Sequence, residues 1–265
     1  MRVEDLRQIH GTYDHVYLSP HLDDASLSCG ASIASQLARG ERVLVVTLST
    51  ATPPPAGPFN AVAVEFHADW GLEAADVMRV RLGEDTLAME RLGCDYVWAD
   101  VLDAIYRVPE SYRSRETLFS LPVAHDPLHT ELRRLLAELR ARVPGATFYA
   151  PLGVGSHVDH LITYAAAIDA AGSPLAFYED VNYVLTPGTL ERRLADVAER
   201  LEPRTVAVDE QALARKISSI AAYESQVNEL FDGAEPMAEA ITAYARSLRP
   251  EGASYGERVW MLTPR

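Results

Sequence analysis

Apolar positions follow two different periods along the chain, and their alternation predicts strands separated by helices. Val16 to Leu18 is a short apolar strand, and Ala25 to Arg39 has the spacing of a helix that ends at Gly40. The apolar run from Arg42 to Leu48 predicts a strand that is buried on both faces. A strand, a helix and a parallel strand form a right-handed crossover unit, so we expect a layered α/β sheet.

The rest of the chain repeats this alternation. Further helices are predicted at Glu73 to Leu92, Leu128 to Arg142, Val158 to Ala171, Leu190 to Leu201 and Glu210 to Asn228. Further strands are predicted at Tyr96 to Trp98, Thr147 to Tyr149, Leu175 to Tyr178 and Arg258 to Leu262. The predicted fold is one α/β domain over residues 1–265, a Rossmann-like three-layer sandwich with a mostly parallel central sheet flanked by helices.

Composition narrows the possible partners. The chain has 265 residues, 48% of them hydrophobic, which is enough for one large core. Its net charge of -14 argues against a nucleic-acid or anionic-membrane surface, so small or neutral substrates fit better. Cys29 and Cys94 are expected to be core thiols in a reducing compartment. The first residues lack a secretory pattern and no run approaches about 18 apolar residues, so we expect a cytoplasmic protein without membrane insertion.

Candidate chemistry collects first in SPHLDD, Ser19 to Asp24, between the first strand and the helix after it. Sites in open α/β sheets form outside the carboxyl ends of strands. His21, Asp23 and Asp24 can hold a metal or work beside one. Adjacent carboxylates repel each other, but a divalent cation lets one act as a ligand while the other is a base for water.

A second group is HVDH, His157 to His160, which follows a predicted strand and a glycine-containing loop. Residues three apart on a helix share a face, so His157 and His160 would project towards the same point. Asp159 could orient one of the two imidazoles. Two histidines and one carboxylate leave coordination positions open, as a catalytic zinc site requires.

Both motifs resemble those of the PIG-L or LmbE-like de-N-acetylases, which carry H-x-D-D after the first strand and H-x-x-H much later. SPHLDD and HVDH match in residue type, order and context. Similar segments extend through most of the chain: RLGEDTLAMERLG from Arg81, LDAIYR from Leu102, FYEDVNY from Phe177 and KISSIAAYESQ from Lys216.

The resemblance implies a metal centre and a reaction. His21, Asp24 and His160 would bind Zn²⁺, although Fe²⁺ could occupy such a site in the cell. Asp23 would be the general base for the attacking water. The implied reaction is hydrolysis of the N-acyl group of a small-molecule amino sugar or glycoconjugate.

Other roles are implied in the same way. His157 would stabilise the developing oxyanion or protonate the leaving amine, and Asp159 would hold the tautomer of His157. Arg81 and Asp103 correspond to positions that contact the sugar in relatives, which makes them substrate-binding candidates.

The sequence departs from the family pattern in ways that leave the ligands and base intact. Relatives often have proline at the position of Leu22 and glutamate at that of Ala25. Some relatives also have a tyrosine shortly before the second motif, whereas residues 152–156 contain no aromatic residue. Its oxyanion role is either vacant or filled by Tyr178 or Tyr183.

Each motif also has an ordinary structural interpretation. Asp23 and Asp24 could cap the helix that follows them, and the HVDH histidines could lie in a solvated helix start. Arg81 and Glu84 have the spacing of an exposed ion pair. The loop at His125 and Asp126 could border the site, and the proline-rich stretch from Ala51 to Phe59 is either a plain loop or a flap over the substrate.

Two other functions stay open on the sequence alone. A non-haem iron oxygenase also uses two histidines and a carboxylate, but it predicts a double-stranded β-helix, which the helix-rich alternation disfavours. A catalytically silent, sugar-binding member of the same fold is the second, and the intact ligands and Asp23 disfavour it. The acylated compound and the oligomeric state, a homo-oligomer included, are undetermined.

Overall fold

The computed structural model describes residues 1–9, 13–170 and 174–263. The strands in these residues are β1 (His15–Ser19), β2 (Val43–Ser49), β3 (Asp95–Val101), β4 (Thr147–Pro151), β5 (Leu175–Tyr178), β6 (Leu201–Val208) and β7 (Tyr255–Leu262). They form one sheet in the order β3-β2-β1-β4-β5-β7-β6. Strands β1 to β5 pair in parallel, and β7 pairs antiparallel with β5 and β6.

Helices connect the strands and cover both faces of the sheet. They are α1 (Asp24–Ala38), α2 (Ala61–Asp69), α3 (Val77–Leu92), α4 (Ala104–Arg107), α5 (Arg115–Leu118), α6 (Leu128–Arg142), α7 (Val158–Asp169), α8 (Thr189–Asp196), α9 (Glu210–Ile220), α10 (Glu224–Phe231) and α11 (Ala234–Ser247). Two 3₁₀ turns span Leu6–Gln8 and Tyr183–Leu185.

Strand β2 shows how the sequence pattern produces three layers. All of its residues are buried, and alternate side chains of a strand point to opposite faces. Leu44 and Val46 join the core beneath α6 and α7. Val43 and Val45 join the core beneath α1 and α3. The predicted α/β sandwich with a mostly parallel central sheet is therefore confirmed.

Helix α6 illustrates why most of the predicted helices form. Leu128, Leu132, Leu136 and Leu139 are buried against the sheet. Their spacing of three or four residues places them on one face of the helix. The charged residues between them lie largely towards solvent, so burial of the leucine face drives the packing of this helix.

The predictions near the carboxyl end were wrong in two places. Helix α8 ends at Asp196, and Leu201 begins β6 instead of ending a helix. Strand β6 is the exposed edge of the sheet, so it lacks the apolar alternation that would identify it. The predicted helix from Glu210 to Asn228 is divided into α9 and α10, and the buried Tyr223 lies at the junction.

Other differences concern helices that were not predicted from the sequence. These are α2, α4, α5 and α11. Helix α3 begins at Val77 instead of Glu73. The start of α2 has a recognisable cap, because the Asn60 side chain accepts a hydrogen bond from the Ala63 N–H. The predicted end of helix α7 at Ala171 lies outside the described residues.

Two further expectations concern the thiols and the membrane. Cys29 and Cys94 are both buried and unpaired, as predicted. None of the helices in the described ranges combines the length and the apolar character needed to cross a membrane.

Candidate metal centre and active-site cleft

The SPHLDD turn leaves the carboxyl end of β1 and is shaped by hydrogen bonds among its own residues. The Ser19 hydroxyl donates to the His21 carbonyl at 2.7 Å and accepts from the Ala25 N–H at 3.0 Å. The His21 N–H donates to Asp24 Oδ2 at 2.7 Å. These bonds fold the turn back on itself, so the imidazole of His21 and the carboxylate of Asp24 face the same space.

Three candidate ligand atoms meet at this edge of the sheet. His21 Nδ1 lies 3.3 Å from Asp24 Oδ2, which lies 3.3 Å from His160 Nε2. The two ring nitrogens are 3.2 Å apart. Donors at ordinary zinc distances around a tetrahedral ion lie roughly 3.3 Å from one another. The structure thus brings the three predicted ligands together with a spacing that fits a metal ion.

A carboxylate lies behind each of the two candidate ligand imidazoles. His160 Nδ1 is 2.6 Å from Asp180 Oδ1, and His21 Nε2 is 3.3 Å from Asp159 Oδ2. Such outer carboxylates hold the far ring N–H and keep the other nitrogen free to bind a metal. Asp180 lies in the FYEDVNY segment, but no local pattern there predicts its contact with His160.

The electrostatics of the cluster favour a cation. Burial disfavours a charged imidazole, yet Asp24 and Asp180 raise the pKa of His160 to about 10. Burial likewise opposes the charge of Asp24, but His160 and His21 hold the pKa of Asp24 well below its usual range. The carboxylates thus hold protons on the ring nitrogens, and a divalent cation would replace that positive charge.

Asp23 lies beside the candidate ligands and is not used as a helix cap. Its side chain makes no capping hydrogen bond at the start of α1, so the ordinary capping interpretation is wrong for this residue. It is only 7% exposed and lines the cleft. Burial and the neighbouring Asp24 raise the pKa of Asp23, which makes it a better proton acceptor than an exposed aspartate.

His157 caps helix α7 and faces the cleft at the same time. Its Nδ1 accepts from the Asp159 backbone N–H at 3.3 Å, which leaves the proton of the neutral ring on Nε2. The structure corrects the expected contact, because the Asp159 carboxylate binds Arg107 and His21 and not His157. Burial would raise the pKa of Asp159, but Arg107 and His21 hold it far below its usual range.

A cleft of about 150 Å³ opens beside these residues. It includes both substrate-binding candidates, Arg81 and Asp103. Arg81 does not pair with Glu84, whose carboxylate instead accepts two hydrogen bonds from Ser225. The expected exposed ion pair is therefore wrong, because Arg81 is only 5% exposed and turns towards the cleft.

One wall of the cleft is a stack of two aromatic rings between two guanidinium groups. The Cζ atom of Arg81 lies 4.6 Å from the centre of the Trp70 ring, and Arg115 Cζ lies 4.3 Å from that of Phe66. The two rings are 5.4 Å apart. Phe66 lies in helix α2, and Trp70 follows one turn later as the residue that ends the helix. The wall was not predicted from the sequence, because this helix was not.

Of the two tyrosines considered for the oxyanion role, Tyr183 lies in the cleft and Tyr178 does not. The Tyr178 hydroxyl donates to the Leu18 carbonyl at 2.8 Å within the core. Tyr183 lines the cleft, and its ring lies 5.7 Å from that of Phe119. The backbone of Gly155 packs directly against Tyr183, since a Cβ there would lie 2.4 Å from the ring.

The two loops that the sequence suggested at the border of the site do not line the cleft. Asp126 is buried and binds Arg107, whereas His125 is exposed and does not line the cleft. The proline-rich residues 51–59 do not line it either. That stretch leads into helix α2, which supplies the aromatic wall.

Comparison with known proteins gives consistent relatives. A family model described as PIG-L, GlcNAc-PI de-N-acetylase, matches residues 16–171. A 2'-N-acetylparomamine deacetylase of Streptomyces fradiae is 27% identical over 276 residues, covering 93% of this chain and 89% of that protein.

Two solved structures are similar over almost the whole chain. The A40926 pseudoaglycone deacetylase Dbv21 is 28% identical with a TM-score of 0.75, covering 95% of this chain and 98% of that one. A zinc-inhibited form of the teicoplanin deacetylase Orf2 is 25% identical with a TM-score of 0.77, covering 94% and 97%. The family match spans more than half of the sequence, and the protein therefore belongs to the PIG-L family of de-N-acetylases.

Proposed function

We propose that this protein is a single-domain, metal-dependent hydrolase that removes an N-acetyl or other N-acyl group from an amino sugar or its conjugate. One observation carries the proposal: His21, Asp24 and His160 present three ligand atoms 3.2 to 3.3 Å apart at the floor of a cleft. Relatives named for paromamine, teicoplanin and A40926 deacetylation support the amide of a sugar conjugate as the target.

The donor set of two imidazoles and a carboxylate suits Zn²⁺ or Fe²⁺. A metal ion bound there supplies Lewis acidity, which makes water more acidic and polarises an amide carbonyl. Asp23 is adjacent in sequence to the ligand Asp24 and opens into the same cleft. Its role is to accept the proton of the attacking water, and its raised pKa suits that role.

His157 is placed to help with the oxygen of the amide. With Nδ1 occupied by the Asp159 N–H, its Nε2–H is the available donor. A hydrogen bond from this group to the developing oxyanion would be stronger in the transition state than in the ground state. Tyr183 lines the same part of the cleft and is the candidate for the additional donor.

The remaining cleft residues bind the sugar. Arg81 and Asp103 offer a donor group and an acceptor group that can bind hydroxyl or amide groups. Trp70 and Phe66 line the cleft and offer apolar surface for the rest of the conjugate. The free thiols of Cys29 and Cys94 suit a reducing compartment, so we place the protein in the cytoplasm. Its proposed substrate is a small molecule.

The two alternative functions are less well supported. The iron oxygenase predicts a double-stranded β-helix, whereas the described strands form a mostly parallel sheet. A silent sugar-binding protein would not need a buried carboxylate beside a complete ligand set, yet Asp23 lies there.

The test combines metal content with amine release. Wild type and three variants, Asp23→Asn, His160→Ala and Asp76→Asn, are assayed on N-acetylparomamine and N-acetylglucosamine conjugates. Asp76→Asn is the matched control, because its carboxylate is exposed at the start of α3 outside the cleft. One relative has a zinc-inhibited form, so Zn²⁺, Fe²⁺ and Co²⁺ are each supplied at one equivalent.

We expect Asp23→Asn to keep the metal and lose roughly 100-fold or more in kcat. His160→Ala should lose the metal, and Asp76→Asn should match wild type in both readouts. Full activity in Asp23→Asn would contradict the assigned base. A wild-type protein that binds none of the three metals would contradict the proposed function.

A further inference from the structure

Arg107 lies outside the cleft, yet it contacts a carboxylate that holds a candidate metal ligand. It ends helix α4, and its side chain is only 4% exposed. Its Nη2 donates to Asp159 Oδ1 at 2.5 Å. The other oxygen of Asp159 lies 3.3 Å from His21 Nε2. Arg107 is therefore linked to the candidate metal site through one intervening carboxylate.

The guanidinium is fixed on its other side as well. Nε and Nη2 donate to the two oxygens of Asp126 at 2.7 and 2.9 Å, and Nη1 donates to the Leu102 carbonyl at 2.6 Å. Asp126 also accepts from the Tyr112 hydroxyl at 2.8 Å and the Leu128 N–H at 2.9 Å. The guanidinium is planar and its N–H donors have fixed directions. The contacts that hold it on one side therefore also fix the N–H group that binds Asp159.

The two ligand histidines are supported in different ways. Asp180, behind His160, accepts from the backbone N–H groups of Gly153 and Val154, each at 2.8 Å. Backbone groups therefore place that carboxylate. Asp159, behind His21, also accepts from one backbone N–H, at 3.2 Å, but its other oxygen is held by the Arg107 side chain. Asp103 Oδ2 lies farther from His21 Nε2, at 3.7 Å. The orientation of His21 therefore depends in part on the Arg107 side chain, which a substitution can remove.

We propose that Arg107 is a positioning residue of the metal centre. By holding Asp159 in place, it keeps the Nε2–H of His21 directed outward and the Nδ1 lone pair directed at the metal position. The proposal rests on the proposed function for the presence of a metal. The competing view is that Arg107 only neutralises two buried carboxylates and so stabilises the fold.

The same link reaches a substrate-binding candidate. The Ala104 N–H donates to Asp159 Oδ2 at 3.2 Å, and the preceding residue, Asp103, caps α4 and lines the cleft. Displacement of Asp159 would therefore disturb the metal position and the Asp103 carboxylate together. Loss of Arg107 should lower kcat through the metal centre and raise KM through Asp103.

The experiment measures metal affinity without substrate, by competition of Co²⁺ or Zn²⁺ with a chelator. The variants are Arg107→Met, Arg107→Lys, Asp180→Asn as a positive control, and Lys216→Met as the matched control. Lys216 is 3% exposed, donates to the buried Glu257 at 2.5 Å and does not line the cleft, so its loss removes a buried ion pair elsewhere. Unfolding midpoints and the ¹⁵N shifts of the His21 ring in zinc-loaded protein are recorded in parallel.

We expect Arg107→Met to weaken metal binding roughly 10- to 100-fold, as loss of outer partners does in other metal sites. In the zinc-loaded protein the Nε2 signal of the His21 ring should move, because its N–H loses a fixed acceptor. Arg107→Lys should recover part of the affinity, because an ammonium pairs with Asp159 without forming the fork. Lys216→Met should lower the unfolding midpoint and leave metal affinity within about twofold of wild type.

A folded Arg107→Met protein with wild-type metal affinity and an unchanged His21 spectrum would overturn the proposal. If that variant does not fold, Arg107→Lys replaces it, and wild-type affinity with an unchanged spectrum would again overturn it. A wild type that binds metal but hydrolyses no amide would refute the proposed function alone, because the affinity comparison needs no substrate.

Discussion

The guanidinium of Arg81 lies over the indole of Trp70, with Cζ 4.6 Å from the ring centre. This pair joins α3 to α2 in the wall of the cleft. A cation above an aromatic ring gains about 1 to 2 kcal/mol where water is partly excluded. Trp70 therefore fixes the position of the Arg81 guanidinium, which we propose contacts the substrate.

Trp70→Ala should raise KM by roughly tenfold, because a lost stack of this size corresponds to about one decade in affinity. Trp70→Phe keeps an aromatic face and should recover most of the loss. Steady-state kinetics on one conjugate check both variants. An unchanged KM in Trp70→Ala would show that the stack does not contribute to binding.

A glycine supports the Tyr183 side of the cleft. Gly155 has φ of 86°, and a Cβ added there would lie 2.4 Å from the Tyr183 ring. Gly155→Ala should therefore displace Tyr183 and lower kcat/KM by tenfold or more, on the order of 1 to 2 kcal/mol. The measurement is kcat/KM beside the unfolding midpoint.

The control for this variant is Gly83→Ala. Gly83 is exposed in the middle of α3, and a Cβ there meets nothing within 4 Å. The substitution should leave activity unchanged and stabilise the fold by about 0.5 to 1 kcal/mol, since alanine favours a helix interior. Equal kinetics for the two variants would contradict the role given to Gly155.

Asp85 gives a prediction for the dependence of stability on pH. It is fully buried and accepts hydrogen bonds from Trp98 Nε1 and the Tyr223 hydroxyl, each at 2.7 Å. Burial raises the pKa of Asp85 to about 7 despite these donors. An unfolded aspartate has a pKa of about 3.9, so between about pH 4 and pH 7 the folded state binds the extra proton.

The contribution of Asp85 to the free energy of unfolding is therefore full below about pH 4 and decreases as pH rises to about 7. The limiting slope for one proton is about 1.4 kcal/mol per pH unit. Asp85→Asn cannot titrate, so urea unfolding at a series of pH values should give a flatter curve for the variant. Parallel curves for the two proteins would contradict the raised pKa.

The sequence predicted most of the centre of the molecule, because its buried elements follow regular apolar periods. Strand β2 is an unbroken apolar run and helix α6 repeats leucine at helical spacing, so both were recognisable. The outer elements were harder. Strand β6 is exposed and pairs only with the distant β7, so its identity depends on a contact that no local pattern shows.

In the site, too, residues in local motifs were predictable and residues that act through distant contacts were not. Two short motifs contain His21, Asp23, Asp24 and His160. The first three line the cleft, and His160 Nε2 lies 3.3 Å from the Asp24 carboxylate. Arg107, Asp180 and the aromatic wall act through contacts between remote segments. Arg107 lies in the LDAIYR segment, but the local sequence does not show that its side chain reaches Asp126 and Asp159.

The most direct test of the central claim is acetate release from an N-acetylated amino-sugar conjugate by wild-type protein stripped of metal, before and after one equivalent of Zn²⁺ or Fe²⁺ is returned. We expect no turnover in the stripped protein, recovery on addition of metal, and no recovery in His160→Ala. Undiminished acetate release by the stripped protein, or equal recovery in His160→Ala, would contradict a metal-dependent reaction at His21, Asp24 and His160.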